Sequence, residues 1–422
     1  MIDRNSAISV SGTPGNSHYD VAIIGGGLVG ASLARALAPL GLKIALIEAV
    51  AFRAASQPSY DDRTLALSAS SCGILKGLGI WPSLESNTTP IREIQVREHK
   101  RPGRVVMNPA ELGLDRFGHV VEARVFGAAI MERLTQLDGL DFLCPAAVTS
   151  VCIDDDAATI EFTGENGDEQ IKAALLVGAD GANSFIRESL GIESERHDYR
   201  QTAVICNITP EHDHRGRAFE CFTPTGPFAV MPHVNGRCGL IWCVSPDQVD
   251  TMMAMPEPEF LKEAQLRFGN HLGNFLKIGQ RSSYPLRLVR ALEDVRPRAV
   301  ILGNAAHAIH PIGAQGFNLG LRDVAVLAEL LWEESSKGAD ADVGNMDLLN
   351  RYSSWRERDQ SGTIAYSDGL ARLFANPSPL AATARTAGLL AHAFIPSLRR
   401  QMTVRAMGYR GRIPRLARGE SL

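Results

Sequence analysis

Several features that would assign this chain to a special class are scarce or missing. No uncharged apolar run among its 422 residues reaches the ~20 residues of a membrane-spanning helix, and the longest candidate, 386–398, is interrupted by His392 and Pro396. The seven cysteines show neither a CxxC pair nor a metal-like spacing, which predicts reduced thiols and no metal site. The net charge of −4 provides no basic field for nucleic acid.

What is present is the composition of a globular protein, with 45% hydrophobic and 21% charged residues. Residues 1–18 are polar and lack the apolar centre of a signal peptide, so they predict a disordered tail on a cytoplasmic protein. The length is sufficient for two or three domains with sizeable cores.

The first chemical signal is a glycine turn within 19–49, a stretch that predicts a strand over 21–24, the turn, a helix over 31–40 and a second strand over 43–47. Gly25 permits the tight turn, Gly27 lets the backbone approach a pyrophosphate, and Gly30 lets helix and strand pack closely. Glu48 ends the second strand and suits a ribose hydroxyl, while its charge disfavours a 2′-phosphate. The turn therefore predicts a site for FAD or NAD rather than NADP.

Two further segments follow far downstream. The sequence VGADGANSFIR occupies 177–187, and GNAAH begins at Gly303 and runs through Pro311 to Gly320. With the glycine turn, they are similar in order and separation to the three FAD-contacting motifs of class A flavoprotein aromatic hydroxylases. Within that class the chain resembles the ubiquinone-biosynthesis hydroxylases, nearest to their 2-polyprenyl-6-methoxyphenol hydroxylase branch. The segments that favour this branch are 62–67, 216–220, 236–243, 283–286 and 320–324.

The resemblance implies roles for individual residues. Pro311 is expected to lie over the flavin near the oxygen site, as the catalytic residue. Arg63 and Arg124 are expected near the pyrophosphate and flavin, although a surface ion pair and a helix-face charge remain alternatives for them. The class usually has aspartate where this chain has Asn304, which can still accept a hydrogen bond without charge. The full set of implied FAD-binding residues is Gly25, Gly27, Gly30, Glu48, Arg63, Arg124, Asp180, Arg187, Gly303, Asn304, Gly316, Phe317 and Asn318.

In this set, Asp180 is expected to support its motif on the pyrophosphate side, and Arg187 to anchor that loop near the path of the nicotinamide. The backbone N–H groups of Gly316 and Phe317 are expected to meet the pyrimidine edge of the flavin at a helix N-terminus, with Asn318 extending the contact. His307 is interpreted as a structural histidine rather than an acid–base catalyst.

The resemblance also implies an activity. NAD(P)H binds transiently and reduces FAD, the reduced flavin and O₂ form a C4a-hydroperoxide, and its distal oxygen hydroxylates a polyprenylated phenol of ubiquinone biosynthesis, at ring carbon C1. Three alternatives stay open: an FAD hydroxylase or epoxidase of a soluble aromatic compound, a flavin reductase of prenyl chains, and a non-catalytic flavoprotein subunit of a membrane-associated biosynthetic complex. Such a complex is also an expected partner of the enzyme.

The fold class expected is α/β with mixed α+β character: a Rossmann-like FAD-binding domain, an inserted antiparallel-sheet substrate domain and C-terminal helices. The FAD-binding domain is predicted to be discontinuous, and the C-terminal helical region to span 346–422. The ranges are 19–90, 114–190 and 291–345 for the FAD-binding domain, and 91–113 and 191–290 for the substrate domain. Short alternating runs within 148–177 predict a small antiparallel meander, and strand-like runs at 202–207, 218–222, 228–232 and 238–244 predict the second sheet.

Two stretches leave their interpretation open. Residues 399–418 contain seven arginines and no acid, with apolar residues between them. They predict either a basic amphipathic segment at the inner membrane face or a docking surface for a protein partner. Four aromatic residues and one proline of the inserted sheet suit either a substrate pocket or an ordinary core, namely Phe219, Phe222, Phe228, Pro232 and Trp242.

Overall fold

The structure, a computed structural model, describes residues 18–51, 63–376 and 378–422. The predicted tail over 1–18 therefore lies outside the described residues except for His18, as does Asp62 at the start of the 62–67 segment. The described chain forms two large sheets, one small sheet and a set of helices, with the parallel part of one sheet at the glycine turn. The mixed α/β fold class is confirmed.

The strands in the described residues are β1 His18–Ile24, β2 Ile44–Ile47, β3 Thr64–Ser68, β4 Thr89–Ile91, β5 Glu93–Glu98, β6 Arg104–Met107, β7 Gly118–Glu122, β8 Leu140–Leu143, β9 Ala147–Ile153, β10 Ala158–Gly164, β11 Gly167–Gly178, β12 Ser194–Pro210, β13 Arg217–Thr223, β14 Gly226–Pro232, β15 Cys238–Val244, β16 Phe275–Ile278, β17 Ser282–Ala291, β18 Val295–Arg296, β19 Ala299–Ile301 and β20 His307–Ala308.

The α-helices in the same residues are α1 Leu28–Leu37, α2 Ala69–Gly77, α3 Trp81–Leu84, α4 Ala123–Leu134, α5 Phe185–Ser189, α6 Val249–Ala254, α7 Glu257–Phe268, α8 Gln315–Ser335, α9 Met346–Ala375, α10 Pro379–Phe394 and α11 Pro396–Ala406.

The first sheet has a parallel centre in the order β19-β11-β1-β2-β8. Its middle strand β1 is an unbroken apolar run at its end, from Val21 to Ile24, because both faces of a parallel sheet are covered. The helices α1, α4 and α8 contribute buried residues to the core on one face. The predicted meander is present as β9, β10 and β11, paired antiparallel at one side of the sheet.

The second sheet has the order β20-β17-β12-β15-β14-β13-β5-β6, with β16 beside β12. Its pairs are antiparallel except β13 with β5, which run parallel. Strands β5, β6 and β12 to β16 fall inside the ranges proposed for the substrate domain, whereas β20 joins the sheet from outside them. The exact domain limits stay a proposal.

Some elements differ from the sequence-based expectation. The helix after the glycine turn was expected over 31–40, but α1 begins at Leu28 and gives way to a 3₁₀ turn containing Pro39. Strand β12 extends well before the expected 202–207, across an irregularity where Arg200 takes a φ of 51°. A small sheet of β3, β7 and β4 was not predicted from the sequence.

The later part of the arginine-rich C-terminal segment packs against the rest of the fold, and its contact with a membrane stays a prediction. Leu416 and Ala417 are buried in the same core as α1 and α8. The Arg415 N–H donates to Glu329 at 2.6 Å, and the Trp355 side chain donates to the Arg412 carbonyl at 3.0 Å. The segment docks because these apolar side chains and backbone groups find partners in the FAD-binding domain.

Among the described helices, none combines the length and hydropathy needed to cross a bilayer. The described residues also contain no cluster of three or more His, Cys, Asp or Glu side chains placed to hold a metal ion.

Candidate active site

The glycine turn joins β1 to α1, and two of its glycines are required by the fold itself. Gly25 has a φ of 106°, and a Cβ there would lie 2.5 Å from the Ala179 carbonyl oxygen. A Cβ on Gly30 would lie 2.0 Å from the carbonyl oxygen of Gly25. Gly27 has φ −65° and ψ −179°, an extended conformation open to any residue, so its backbone does not demand glycine.

Gly27 is also the N-cap of α1, and its position there is suited to an anion. No side chain caps this helix end, and its first turn has no acidic residue. The first N–H groups of a helix lack partners within the helix and lie at its positive end. The bare helix N-terminus fits a phosphate, as the sequence predicts.

Glu48 is fixed at the end of β2 beside this turn. Its two carboxylate oxygens accept hydrogen bonds from the backbone N–H groups of Gly26, at 2.8 Å, and Val50, at 2.9 Å. The side chain is half-buried, so a face of the carboxylate remains open to a hydroxyl group. Its orientation is therefore set before any cofactor binds.

The second motif touches the first, because the Cβ position of Gly25 lies 2.9 Å from the Asp180 Cα atom. Asp180 accepts hydrogen bonds from the Ser184 hydroxyl at 2.5 Å and from the Ile186 N–H at 3.0 Å. Burial raises the pKa of the Asp180 carboxyl, while these hydrogen bonds oppose the rise. Asp180 thus holds the loop at the start of α5.

Arg187 connects the second motif to the third. Its guanidinium is fully buried and donates to the carbonyl oxygens of Ala305, at 2.8 Å, and Ala182, at 3.0 Å. The side chain anchors the loop, as expected, but burial leaves it no exposed surface for a nicotinamide. Its contribution is to the position of the two loops.

The third motif begins at Gly303, whose φ is 60° and whose N–H donates to the Asp323 carboxylate at 3.0 Å. The same carboxylate accepts from the Nε2–H of His307 at 2.6 Å and from Arg356 at 2.8 Å. Burial alone would raise the pKa of Asp323, but the charges of His307 and Arg356 hold it well below its ordinary value. His307 is buried in this contact, which supports the structural interpretation.

The buried charges continue from Asp323 into a network between α8 and α9. Arg356 also donates to Asp359 at 2.7 Å, and Asp359 accepts from Arg322 at 2.6 Å. Asp359 has a lowered pKa because these two arginines outweigh the effect of its burial, which acts in the opposite direction. The network connects the 303–307 loop to the C-terminal helices.

The loop from Pro311 to Ala314 ends in a tight turn at the start of α8. Gly313 and Ala314 both have positive φ, 70° and 51°, and the second is uncommon for a residue with a side chain. No side chain caps α8, and its first turn has no acidic residue. The N–H groups of Gly316 and Phe317 lie in this first turn and suit the acceptor edge of a flavin.

Asn318 is differently placed. Its Oδ1 accepts from the Ser68 N–H at 2.8 Å and the Ser71 hydroxyl at 2.6 Å. Its Nδ2 donates to the carbonyl oxygens of Ala66, at 2.8 Å, and Ala314, at 2.7 Å. With its side chain committed to the protein, only the main chain of Asn318 is left for a cofactor contact.

A cleft of about 720 Å³ lies beside the third motif, against the second sheet. Arg63, Asn183, Asn304 and Pro311 line it, and Asn304 is exposed there. The Arg63 guanidinium lies over the Tyr284 ring, which lines the same cleft, at 5.2 Å from its centroid. The fold therefore brings three of the expected site residues together from positions far apart in sequence.

Arg124 lies in the first turn of α4 and forms an ion pair with Glu122. Its side chain is about half exposed, and Glu122 is buried. Arg124 is not among the described residues that line the cleft. Its predicted role at the flavin stays a prediction.

Comparison with known proteins agrees with this geometry. A family model described as an FAD binding domain matches residues 18–363. The chain belongs to this FAD-binding family. It is an FAD-dependent aromatic monooxygenase, and NAD(P)H is the electron donor typical of the family.

Two curated relatives cover nearly the whole chain. It is 38% identical to the ubiquinone hydroxylase UbiL of Rhodospirillum rubrum, over 96% of this chain and 93% of the relative. It is 33% identical to the 3-demethoxyubiquinol 3-hydroxylase of Escherichia coli, over 93% of this chain and 99% of the relative. The crystal structure of p-nitrophenol 4-monooxygenase PnpA from Pseudomonas putida has the same fold, with a TM-score of 0.78 at 20% identity, covering 94% of this chain and 100% of that one.

This monooxygenase contains a second, apolar cavity of about 260 Å³, which the sequence did not reveal. Strands β5, β6 and β13 form one wall, and α9, α10 and α11 form the other. Phe222 stacks on Phe374 across it, with ring centroids 3.4 Å apart. Ile312 and Gly313 also line the cavity, so the loop after Pro311 borders both the cleft and the cavity.

Of the five aromatic and proline residues considered for a substrate pocket, only Phe222 lines this cavity. Phe219, Phe228 and Trp242 pack instead in a core with α7 on the other face of the sheet. The reason is the two-residue alternation of a strand, which sends Phe219 and Phe222 of β13 to opposite faces. The C-terminal helices that complete the cavity carried no recognisable motif, although Leu370, Leu389 and Met402 are apolar residues at its wall.

Proposed function

We propose that this FAD-dependent monooxygenase hydroxylates a polyprenylated phenol of ubiquinone biosynthesis, with NAD(P)H and O₂ as co-substrates. The names of the two relatives support the substrate class. The observation that carries the proposal is that the polar cleft and the apolar cavity share the loop from Pro311 to Gln315. That arrangement would let an apolar substrate bind in the cavity beside the cofactor in the cleft.

FAD fits the residues at the three motifs. The bare N-terminus of α1 would bind the pyrophosphate, and the Glu48 carboxylate a ribose hydroxyl. Asp180 and Arg187 would hold the loops, while Arg63 and Asn304 would meet the cofactor in the cleft. The N–H groups at the start of α8 would bind the pyrimidine edge. When bound and reduced by NAD(P)H, FAD supplies the activation of O₂ for transfer of one oxygen atom to the ring.

Pro311 and its loop would position the reacting groups. The Pro311 carbonyl accepts the Ala314 N–H at 2.8 Å, which closes the turn beneath the cleft. A rigid turn at this point would keep the boundary between cleft and cavity constant. The apolar walls of the cavity would exclude water from the ring during oxygen transfer.

We further propose that the enzyme takes its substrate from a membrane surface. Phe394 and Ile395, between α10 and α11, are 78% and 45% exposed. The opposite side of the same helix pair lines the apolar cavity through Leu389 and Met402. Large exposed apolar side chains beside a cavity suit contact with lipid, from which a polyprenylated phenol would arrive.

Ring carbon C1 is the position proposed from the sequence. A second candidate is the position in the name of the E. coli relative, a 3-hydroxylase that is 33% identical over 99% of its length. Both candidates require the same cofactor and the same substrate class.

Deletion of the gene followed by mass spectrometry of quinone intermediates tests the proposal. A polyprenylated phenol lacking one ring hydroxyl should accumulate, and its structure distinguishes C1 from the other position. Re-expression of the intact chain should restore ubiquinone, whereas a Gly27→Val chain should not, because the side chain would occupy the phosphate position. Normal ubiquinone in the deletion strain, with no second hydroxylase present, would overturn the function.

A purified protein that restores ubiquinone but neither oxidises NAD(P)H nor forms product would instead favour the non-catalytic subunit. Turnover of a soluble phenol in preference to a prenylated one would favour a hydroxylase of another aromatic substrate. The assay therefore needs FAD-loaded protein, both nicotinamide donors and both kinds of phenol.

A further inference from the structure

One carboxylate on the wall of the apolar cavity makes no contact with another described residue that would stabilise the fold. Glu220 lies in the middle of β13 and lines the cavity together with Phe222. The alternation of the strand places both residues on the face toward α9 and α10. Glu220 is the only acidic residue among the described residues of the cavity wall.

The neighbours of Glu220 across the sheet cannot pair with it. Val96 of β5 and Ala229 of β14 are the residues opposite it in register, and both are apolar. Among the described residues, none forms a hydrogen bond or an ion pair with the Glu220 side chain. A carboxylate kept in apolar surroundings without a partner costs stability, and such groups are concentrated at functional sites.

Two of the cationic side chains that line the cavity have carboxylate partners of their own. Arg385 is paired with Glu98 at 2.9 Å and Arg322 with Asp359 at 2.6 Å. The Arg405 guanidinium lies over the Tyr366 ring, 5.4 Å from its centroid. Burial is the cause that raises the pKa of the Glu220 carboxyl to about 7. The titratable side chains that share the cavity with Glu220 are Arg322, Tyr366, Arg385, His392, Arg405 and Arg410.

We infer that Glu220 accepts the hydroxyl proton of the phenolic substrate and orients its ring toward the loop at Ile312 and Gly313. This rests on the proposed function, since it requires a phenol in the cavity. In the full transfer the phenol O–H bond breaks, its electron pair stays on the phenolate oxygen, and the proton moves to the Glu220 carboxylate. The added charge raises the electron density of the ring, which favours attack on an electron-poor oxygen. The proton returns to the oxygen of the product, so Glu220 ends as it began.

The properties of Glu220 suit this transfer. A free phenol has a pKa of about 10 and an ordinary glutamate one of 4.5, a gap too wide for efficient sharing of a proton. A carboxyl whose pKa is about 7 narrows the gap. The apolar walls, such as Val96 and Phe222, would also strengthen a hydrogen bond between the two groups because they exclude water.

The test compares binding of 2-geranylphenol and its methyl ether to the FAD-loaded protein by calorimetry, without turnover. The wild type should bind the phenol about tenfold to a hundredfold more tightly than the ether, since hydrogen bonds to charged groups are the strong ones. Glu220→Leu should bind both compounds alike. Glu220→Gln should keep part of the preference through its amide oxygen, but should not shift the absorption of a bound nitrophenol probe toward the phenolate form.

Glu195→Gln is the matched control, an exposed glutamate of the same sheet that pairs with Arg290. It should behave as the wild type in both measurements. Equal binding of phenol and ether by the wild type, or an unchanged preference in Glu220→Leu, would overturn the role of Glu220 and leave the substrate class standing. Failure of the wild type to bind either prenylated compound would overturn the proposed function itself.

Folding of the variants can be separated from binding. The folded pKa of Glu220 is about 7, above its ordinary value of 4.5, so its ionisation destabilises the protein as pH rises through that interval. Glu220→Gln should therefore melt at a higher temperature than the wild type at pH 8 and at a similar temperature at pH 4.5. A lower melting temperature at both values would show a structural partner and overturn the inference.

Discussion

Asn304 is exposed in the cleft, at the position where the resemblance to aromatic hydroxylases implies an aspartate. We expect Asn304→Asp to tighten FAD binding by about 1 kcal/mol, roughly fivefold in Kd, because a charged acceptor binds a ribose hydroxyl more strongly than a neutral one. Titration of the apo-protein with FAD measures it. Asn87→Asp, an exposed change distant from the motifs, should leave the Kd unchanged. Weaker binding by Asn304→Asp would mean that the phosphates repel the added charge.

Among the residues of the site, replacement of Asp323 should lower the free energy of unfolding most. Asp323→Asn would remove one of the two carboxylates that pair with the buried Arg356, and we expect it to lower the free energy of unfolding by about 3–5 kcal/mol. Urea unfolding at pH 7 measures the change. Glu188→Gln, which breaks an exposed pair with Arg196, should have little effect and serves as the control.

The pH dependence of the same variant has a definite sign. The folded pKa of Asp323 lies below its ordinary value of 3.8, so its stabilisation is complete well above that value and is lost as pH falls through and below it. The stability gap between wild type and Asp323→Asn should be the same at pH 7 and pH 5.5. It should narrow only below about pH 4. A gap that already closes between pH 7 and 5.5 would show that the ionisation of Asp323 does not control the contact.

At the scale of the elements, the sequence was sufficient to predict those features whose residues are adjacent in the chain. Gly25 and Gly30 were identified because the turn, strand and helix are contiguous, and the structure shows the close contacts that require both. The commitment of the Asn318 side chain could not be predicted, because Ser68 lies 250 positions away in sequence. The apolar cavity could not be predicted either, because its two walls, the inserted sheet and the C-terminal helices, are far apart in sequence.

The docking of the C-terminal segment on α2 is a second contact of this long-range kind. A Cβ on Gly73 would lie 2.3 Å from the Ala417 carbonyl oxygen. We therefore expect Gly73→Ala to displace the segment and to destabilise the protein by about 1–3 kcal/mol, despite the better helix propensity of alanine. Urea unfolding, together with trypsin cleavage after the released arginines, measures both effects.

Gly369→Ala is the matched control for this prediction. Gly369 lies within α9, and no atom would come within 4 Å of its added Cβ. The control should stabilise the protein by about 0.5–1 kcal/mol, as alanine does in an unobstructed helix. If Gly73→Ala were equally stabilising and equally resistant to trypsin, the segment would not be held against α2.

At the scale of the whole molecule, the distribution of charge changes the expected basis of membrane contact. Four of the seven arginines over 399–418 form ion pairs, namely Arg399 with Glu111 at 2.9 Å, Arg412 with Glu329 at 3.2 Å, Arg415 with Glu420 at 3.9 Å and Arg418 with Glu420 at 2.9 Å. Paired charges attract anionic lipid less than free ones. The exposed apolar residues between α10 and α11 are therefore the better candidates for contact with a bilayer.

We expect a Phe394→Ser, Ile395→Ser double variant to lose about tenfold in association with liposomes, because two large apolar side chains would no longer enter the lipid. Co-sedimentation at low and high salt measures it, and high salt should weaken the wild type only slightly. The control is Leu266→Ser, Leu276→Ser, which removes residues of α7 and β16 that are 63% and 54% exposed. Both variants should retain their flavin spectrum, since neither pair lies at a flavin motif. Equal loss in both variants would indicate nonspecific adsorption to the liposomes. Strong release of the wild type by high salt would show that the arginines, and not the apolar residues, provide most of the attraction to the lipid.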